Sequence, residues 1–216
     1  MDIKSRLETI ETEVDDRALI IGVSKKQPIE KIVEAYHAGL RDFGENYAQE
    51  MIEKAKQLSD LSEIRWHFIG HLQKNKVNQI FPYLFSLHTL DSLKLAEKLN
   101  RCCEESGRRL DVYLQINIDG EDSKSGISPE KIFEFLTFLK KYEQLNLLGL
   151  MCIPSPDKDP KIAFDALREL EQKCRPITKG KLSMGMSSDY MIAVKCGSTA
   201  IRIGTTLFGP RELNSP

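Results

Sequence analysis

The stretch from Leu182 to Gly209, LSMGMSSDYMIAVKCGSTAIRIGTTLFG, reads as two short strands, each running into small hydroxyl residues and glycines. Lys181 to Gly185 and Ala200 to Ile203 carry strand-like apolar patterns, and Ser187, Ser188 and Asp189 stand where a helix should begin between them. Behind the second strand, Gly204-Thr205-Thr206 offers backbone N–H groups and two hydroxyls. Helix starts and glycine-rich turns attract phosphate because their N–H groups lack intrahelical partners and sit at the positive end of the peptide dipoles. One such loop alone is read most simply as a helix cap and a turn. Two adjacent ones predict an anion pocket.

Working outward from this stretch, strand-like runs alternate with amphipathic segments along the chain. A first helix is expected over about Asp2 to Val14, then a strand from Ala18 to Ser24, and Pro28 opens a helix with Ile29, Ile32, Val33 and Tyr36 on one face, closed near Gly39. Further strands are expected at Arg41–Gly44, Arg65–Ile69, Leu84–Leu87, Asp111–Asn117 and Leu145–Met151. Helices are expected at about Tyr47–Leu58 and Gln73–Ile80, with later ones capped by Asp91, by Ser128-Pro129 and by Asp159-Pro160. Strands separated by helices pair in parallel through right-handed crossovers, which predicts a single (β/α)8 TIM barrel with an extra N-terminal helix. A doubly wound open sheet is the competing architecture. In the barrel, the chemistry belongs at the carboxyl ends of the strands, and phosphate belongs in the last two loops.

Composition narrows the function. The 216 residues are 41% hydrophobic with no linker-like or low-complexity tract, and residues 1–216 are read as one domain. A formal charge of -1 removes the whole-chain argument for nucleic acid or an anionic membrane as partner. Cys102, Cys103, Cys152, Cys174 and Cys196 show no CxxC spacing, and the charged N-terminus has no apolar run of signal-peptide type. No run is long enough to span a membrane, so a cytoplasmic protein with reduced thiols is expected.

Several strand ends carry polar residues: Lys25, then Glu45-Asn46-Tyr47, His71 to Lys76, and Asn117. In Ile21-Gly22-Val23-Ser24-Lys25, alternation puts Lys25 on the face of Ile21 and Val23, so a barrel-lining face aims it inward at the mouth. Low-dielectric walls would favour its neutral amine, the nucleophile that attacks a carbonyl. The ordinary reading of a lysine is a solvated surface group. Lys26 is the rival, directed by the same alternation to the helix layer, where it could reach solvent.

These residues fall in motifs that run in order through nearly the whole chain: VSK at Val23–Lys25, FGENY at Phe43–Tyr47, WHFIGHLQKNK at Trp66–Lys76 and DSKSG at Asp122–Gly126. GLMCIP at Gly149–Pro154, SMGMSSD at Ser183–Asp189 and RIGTTLFGPR at Arg202–Arg211 complete them. The set resembles the YggS/PROSC family of pyridoxal phosphate homeostasis proteins, barrels related to the barrel domain of alanine racemase. The resemblance implies that Lys25 forms an aldimine with pyridoxal 5'-phosphate and that the phosphate rests on Ser187, Gly204 and Thr205. It further implies that Arg202 faces the pyridine nitrogen and that Asn46 and His67 line the cofactor pocket. A guanidinium there donates a hydrogen bond without readily giving up its proton, which leaves the ring a weaker electron sink.

The resemblance implies a monomer that takes part in intracellular vitamin B6 homeostasis, with apo forms of cofactor-dependent enzymes as recipients. The chain runs from Phe208 only to Pro216, so the β-rich domain that related racemases add is expected to be missing, and with it a second catalytic residue. No catalytic residue is therefore assigned, and a carrier is expected. Two alternatives stand beside it: a racemase-like enzyme using Tyr47 or a loop residue as second base, and a Schiff-base aldolase acting on a phosphorylated sugar. His67 and His71 have the spacing of a helical zinc pair but lie in a strand-like run without a third ligand, so no metal is expected. Lys74 and Lys76 read as the polar face of a helix start rather than a nucleic-acid site. Met151, Met184 and Met186 read as core, although a thioether could pack on a cofactor ring. Glu45 remains a candidate acid or base, and the Asp122–Gly126 segment a lid or contact surface.

Overall fold

The computed structural model describes residues 1–121 and 124–210, so Asp122, Ser123 and Arg211 to Pro216 of the motifs and termini above lie outside the described residues. Parallel strands β1 (Leu19–Val23), β2 (Asp42–Glu45), β3 (Arg65–Phe68), β4 (Leu84–Leu90), β5 (Leu110–Gln115), β6 (Leu145–Met151), β7 (Lys181–Met186) and β8 (Ala200–Ile203) pair in sequence order. Pairing of β8 with β1, Ile21 opposite Arg202, closes the barrel. The open-sheet alternative is thereby excluded.

Around the strands lie α1 (Ile3–Val14), α2 (Ile29–His37), α3 (Ala48–Gln57), α4 (Val77–Ile80), α5 (Leu93–Ser106), α6 (Ile132–Leu139), α7 (Pro160–Cys174), α8 (Tyr190–Lys195) and α9 (Thr205–Phe208). The helix after β8 is only four residues long. The extra N-terminal helix makes up the deficit: α1, capped by Asp2 through Ser5 N at 2.8 Å, buries Ile3, Leu7, Ile10 and Val14 and packs against α2, α8 and α9. Arg6 donates to the Leu207 carbonyl at 3.3 Å, and the Tyr190 hydroxyl donates to Glu13.

The two faces of the strands reverse the usual distribution. Phe43, Phe68, Leu87, Val112, Leu114, Ile201 and Ile203 belong to the buried apolar core between sheet and helices. Burial of each such side chain contributes about 1.5–3 kcal/mol. The residues between them, His67, His88, Tyr113, Ser183 and Arg202, alternate to the barrel interior, where branched aliphatic residues ordinarily dominate. A polar core inside a closed sheet must satisfy its own hydrogen bonds, because water cannot.

Differences from the sequence reading sit at element ends. β4 extends to Leu90, and β5 stops at Gln115. Asp91 does not cap α5; Ser92 occupies that position, and the Asp91 carboxylate lies 3.3 Å from His71 Nδ1 instead. Ser128 makes no capping bond either, because Pro129–Lys131 form a 3-10 turn before α6. The segment expected as a helix from Gln73 likewise begins with a 3-10 turn at Lys74–Lys76.

Candidate functional site

A cavity of about 450 Å³ opens at the carboxyl ends of the strands. Lys25, Asn46, Ser187, Arg202, Gly204 and Thr205 all line it, together with Val23, Ile69, Ile153, Met186, Ser188 and Thr206. Six of the seven residues expected at the site are thus brought together from four different strand ends. Its size suits a small organic ligand held by a few polar groups on apolar walls.

Lys25 reaches this cavity because the segment around it is held from outside the barrel. Lys54, buried on α3, donates to the Ser24 carbonyl at 2.5 Å, to Glu45 at 2.7 Å and to Glu50 at 2.7 Å. Ser24 Oγ donates to Glu45 at 2.7 Å, and the Lys26 backbone N–H donates to Glu50 at 2.5 Å. Both neighbours of Lys25 are therefore fixed to one ion cluster. Lys26 takes a left-handed conformation, φ 57°, and its side chain is exposed, so the two adjacent lysines diverge. Glu45 accordingly is not an acid or base at the mouth: it faces the helix layer, fully buried, where burial pushes its carboxyl up to about 7 against the pull of Lys54.

On the opposite side, Ser187 Oγ accepts from Gly204 N at 3.1 Å and from Thr206 N at 3.3 Å. An oxygen atom already sits at the focus of the two N–H groups starting α9. A Cβ built on Gly204 would approach nothing closer than Val23 Cβ at 3.7 Å, so the space against this glycine is open. Asp189 does not cap α8; its carboxylate accepts from Met186 N at 2.6 Å and shapes the loop before that helix. Asn46 lies where the β2 and β3 ends touch, since Gly70 approaches it so closely that a Cβ there would be 2.1 Å from the Asn46 carbonyl. Its Oδ1 is buried without a hydrogen-bond partner among the described residues.

Arg202, 3% exposed, turns part of its guanidinium away from the cavity. One terminal nitrogen donates to Ser183 O and Ser183 Oγ, both at 2.8 Å, and the other to Cys152 O at 2.9 Å. His67 is the expected residue that does not line this cavity. It lies inside the barrel, with Nε2 2.8 Å from Asp42 and Nδ1 3.0 Å from His88 Nε2, because its strand alternation buries it below the mouth. His88 continues to Ser183 at 2.7 Å and stacks on Tyr113, ring centroids 4.5 Å apart. Burial first, and then the neighbouring Arg202 guanidinium, pushes the His88 imidazole well below its ordinary range.

The remaining candidates separate. His71 is on the rim with Asp91, far from the partners of His67, so the pair does not converge. Met186 lines the cavity, whereas Met151 and Met184 are wholly buried. Tyr47 is 52% exposed. Lys124 and Ser125 of the DSKSG motif line a second, adjoining cavity of about 260 Å³ with His71, Asn117 and Asn46. Sequence reasoning gave no role to Asp42, His88, Ser183, Glu50 or Lys54. A signal existed for His88 and Ser183: polar residues set within apolar strand runs, as in LHTL and LSM.

Relatives match most of this chain. The family described as alanine racemase, N-terminal domain, matches residues 2–212. The pyridoxal phosphate homeostasis protein of Homo sapiens is 44% identical, over 89% of this chain and 76% of its own length, and that of Schizosaccharomyces pombe is 38% identical, over 99% and 95%. A solved structure of PipY from Synechococcus elongatus with PLP bound is 36% identical with a TM-score of 0.89, covering 96% of this chain and all of that one. An alanine racemase of Clostridium difficile, 14% identical with a TM-score of 0.78, has the same fold over 56% of its length. With a polar-cored barrel and a lysine and arginine facing one cavity, the chain belongs to the alanine racemase N-terminal-domain family, and within it to the pyridoxal phosphate homeostasis proteins.

Proposed function

We propose that this protein binds pyridoxal 5'-phosphate in the 450 Å³ cavity, with Lys25 as the amine that joins the cofactor's aldehyde, and serves in holding and handing over the cofactor. The observation that carries this reading is the convergence of Lys25, Arg202 and the Ser187–Gly204 cradle on one cavity. The donor set fits the group: N–H and hydroxyl donors for a phosphate, a guanidinium for a ring nitrogen and an orphaned amide oxygen on Asn46 for a polar substituent. When bound, the cofactor supplies a reactive aldehyde on a polarisable ring.

The chain's own residues divide the work. Ser187, Gly204 and Thr205 bind the phosphate, Arg202 orients the ring by donating to its nitrogen, and Val23, Ile69 and Ile153 supply apolar walls. A guanidinium keeps its proton, so it favours holding the cofactor over withdrawing electrons through the ring. The setting in this reading is the cytoplasm, as a monomer delivering to apo enzymes. All five cysteines are buried free thiols, and no helix among the described residues is long and apolar enough to cross a membrane.

The test is reduction with borohydride after incubation with pyridoxal 5'-phosphate, followed by peptide mapping. The label is expected on Lys25, and Lys25→Ala is expected to abolish the visible absorption band while the far-ultraviolet circular dichroism stays native. Label on Lys26, or no uptake, overturns the reading. Release of α-deuterium from amino acids at a catalytic rate would turn it to a racemase-like enzyme.

A further inference from the structure

One continuous line of hydrogen bonds crosses the barrel interior from Asp42, at the amino end of β2, through His67, His88 and Ser183 to Arg202 at the cavity. Every link is 2.7–3.0 Å long, and every member is at most 3% exposed. Because His67, His88 and Ser183 between the two ends are at most 2% exposed, the positions of their protons can be deduced from the partners alone.

Arginine has donors and no acceptor, so Ser183 Oγ accepts from Arg202 and must send its own proton to His88 Nδ1. His88 Nδ1 is therefore bare, and a neutral ring carries its proton on Nε2, which donates to His67 Nδ1. His67 then carries its proton on Nε2 and donates to Asp42. Asp42, a carboxylate, can only accept, and Arg65 at the barrel floor also donates to it, at 2.8 Å through Nε. With both rings neutral, the Asp42 end requires the same arrangement as the Arg202 end.

From this geometry we infer that His67 and His88 are positioning residues for Arg202: with one proton each, on Nε2, they keep Ser183 Oγ as an acceptor and so hold the guanidinium in its cavity-facing pose. The inference rests on the cofactor reading for its consequence but not for its structure. Arg202 is clamped on its inner side by Ser183 and Cys152, and only the Ser183 hydroxyl is adjustable, since the other two acceptors are backbone carbonyls. If the line ran the other way, His88 would present an N–H to Ser183, and the hydroxyl, accepting from two donors, would have to find another acceptor for its own proton.

The first experiment needs no cofactor. Long-range 1H–15N correlation spectra of the 15N-labelled full chain at neutral pH are expected to show both rings neutral, with bare Nδ1 and protonated Nε2. A cationic ring or an Nδ1–H form at either position overturns the inference. Ser183→Ala is expected to release His88 into a mixture of the two forms, and an unchanged His88 spectrum would also overturn it.

The second experiment reads the consequence by titrating pyridoxal 5'-phosphate against absorbance. His88→Leu is expected to weaken binding about tenfold, the scale of one hydrogen bond to a charged group, and to displace the pH midpoint of the cofactor band. His88→Asn, whose amide oxygen can stand near Nδ1, is expected to restore most of both, whereas His88→Gln, which reaches the Nε2 position, is not. Equal behaviour of the three variants overturns the inference. Should the wild-type chain take up no cofactor at Lys25, the proposed function fails while the ring spectra still judge the line itself.

Discussion

Two buried polar groups of residues flank the cavity, one on each side of the sheet, and they solve the same problem differently. Inside the barrel, the line from Asp42 to Arg202 connects its two charges through neutral rings and a hydroxyl, each bond satisfied in one direction. Outside it, behind β1, Lys54 is gripped between Glu45 and Glu50, three ionisable groups within one small volume, and Glu45 Oε2 has no hydrogen-bond partner among the described residues. Neutral members cost little to desolvate, whereas a dense ion cluster depends on every charge being present. The inner line orients a head group; the outer cluster fixes a stretch of backbone, the one that carries Lys25.

The comparison breaks most visibly at Lys54. Lys54→Met leaves two carboxylates facing each other in a buried place and is expected to cost about 3–5 kcal/mol in urea unfolding. A loss below about 1 kcal/mol would mean that the cluster is not cooperative. The next effect is one of pH. The folded Glu45 carboxyl is raised from 4.5 to about 7, so the folded state binds more protons than the unfolded state between those values. Its contribution is thus fully present below about pH 4.5 and is lost as pH rises through about 7, by about 3 kcal/mol in all. In Glu45→Gln that slope should vanish from a stability–pH curve, and a slope unchanged from wild type would refute the assignment.

Inside the barrel the expected loss is smaller. Ser183→Ala breaks a link between a neutral ring and a cation whose other bonds remain, and about 1–2 kcal/mol is expected in the same urea assay. The smallest change sharpens the outer side: Lys26→Gly relieves the left-handed conformation and should stabilise the chain by up to about 1 kcal/mol. Because Lys26 points away from the cavity, its removal should leave cofactor affinity within twofold, and a larger loss would place Lys26 in the site.

The barrel and most of its mouth were legible in the sequence because both depend on short-range periodicity. Alternation in Ile21–Lys25 aimed Lys25 inward, and the small residues of Ser187–Ser188 and Gly204–Thr206 marked the phosphate loops. What alternation cannot give is depth: His67 has the right face but lies below the mouth, joined to His88 rather than to the cavity. Nor can it show contacts formed across the helix layer. Lys54 and Glu50 look like an ordinary exposed pair four residues apart on α3, and only the docking of α3 behind β1 buries them against Ser24 and Glu45. Asp91 failed as a cap for a related reason, since its partner, His71, comes from the loop after β3.

The short α9 gives the molecule a schedule. Its first turn closes one side of the proposed phosphate cradle, and the helix rests on α1, made about two hundred residues earlier, through Arg6 and Leu207. A nascent chain that has finished β7 has Lys25 and the helices up to α7, but neither Arg202 nor Gly204 has yet been synthesised. In the proposed reading, the groups that hold the cofactor are therefore complete only once β8 and the start of α9 have been made.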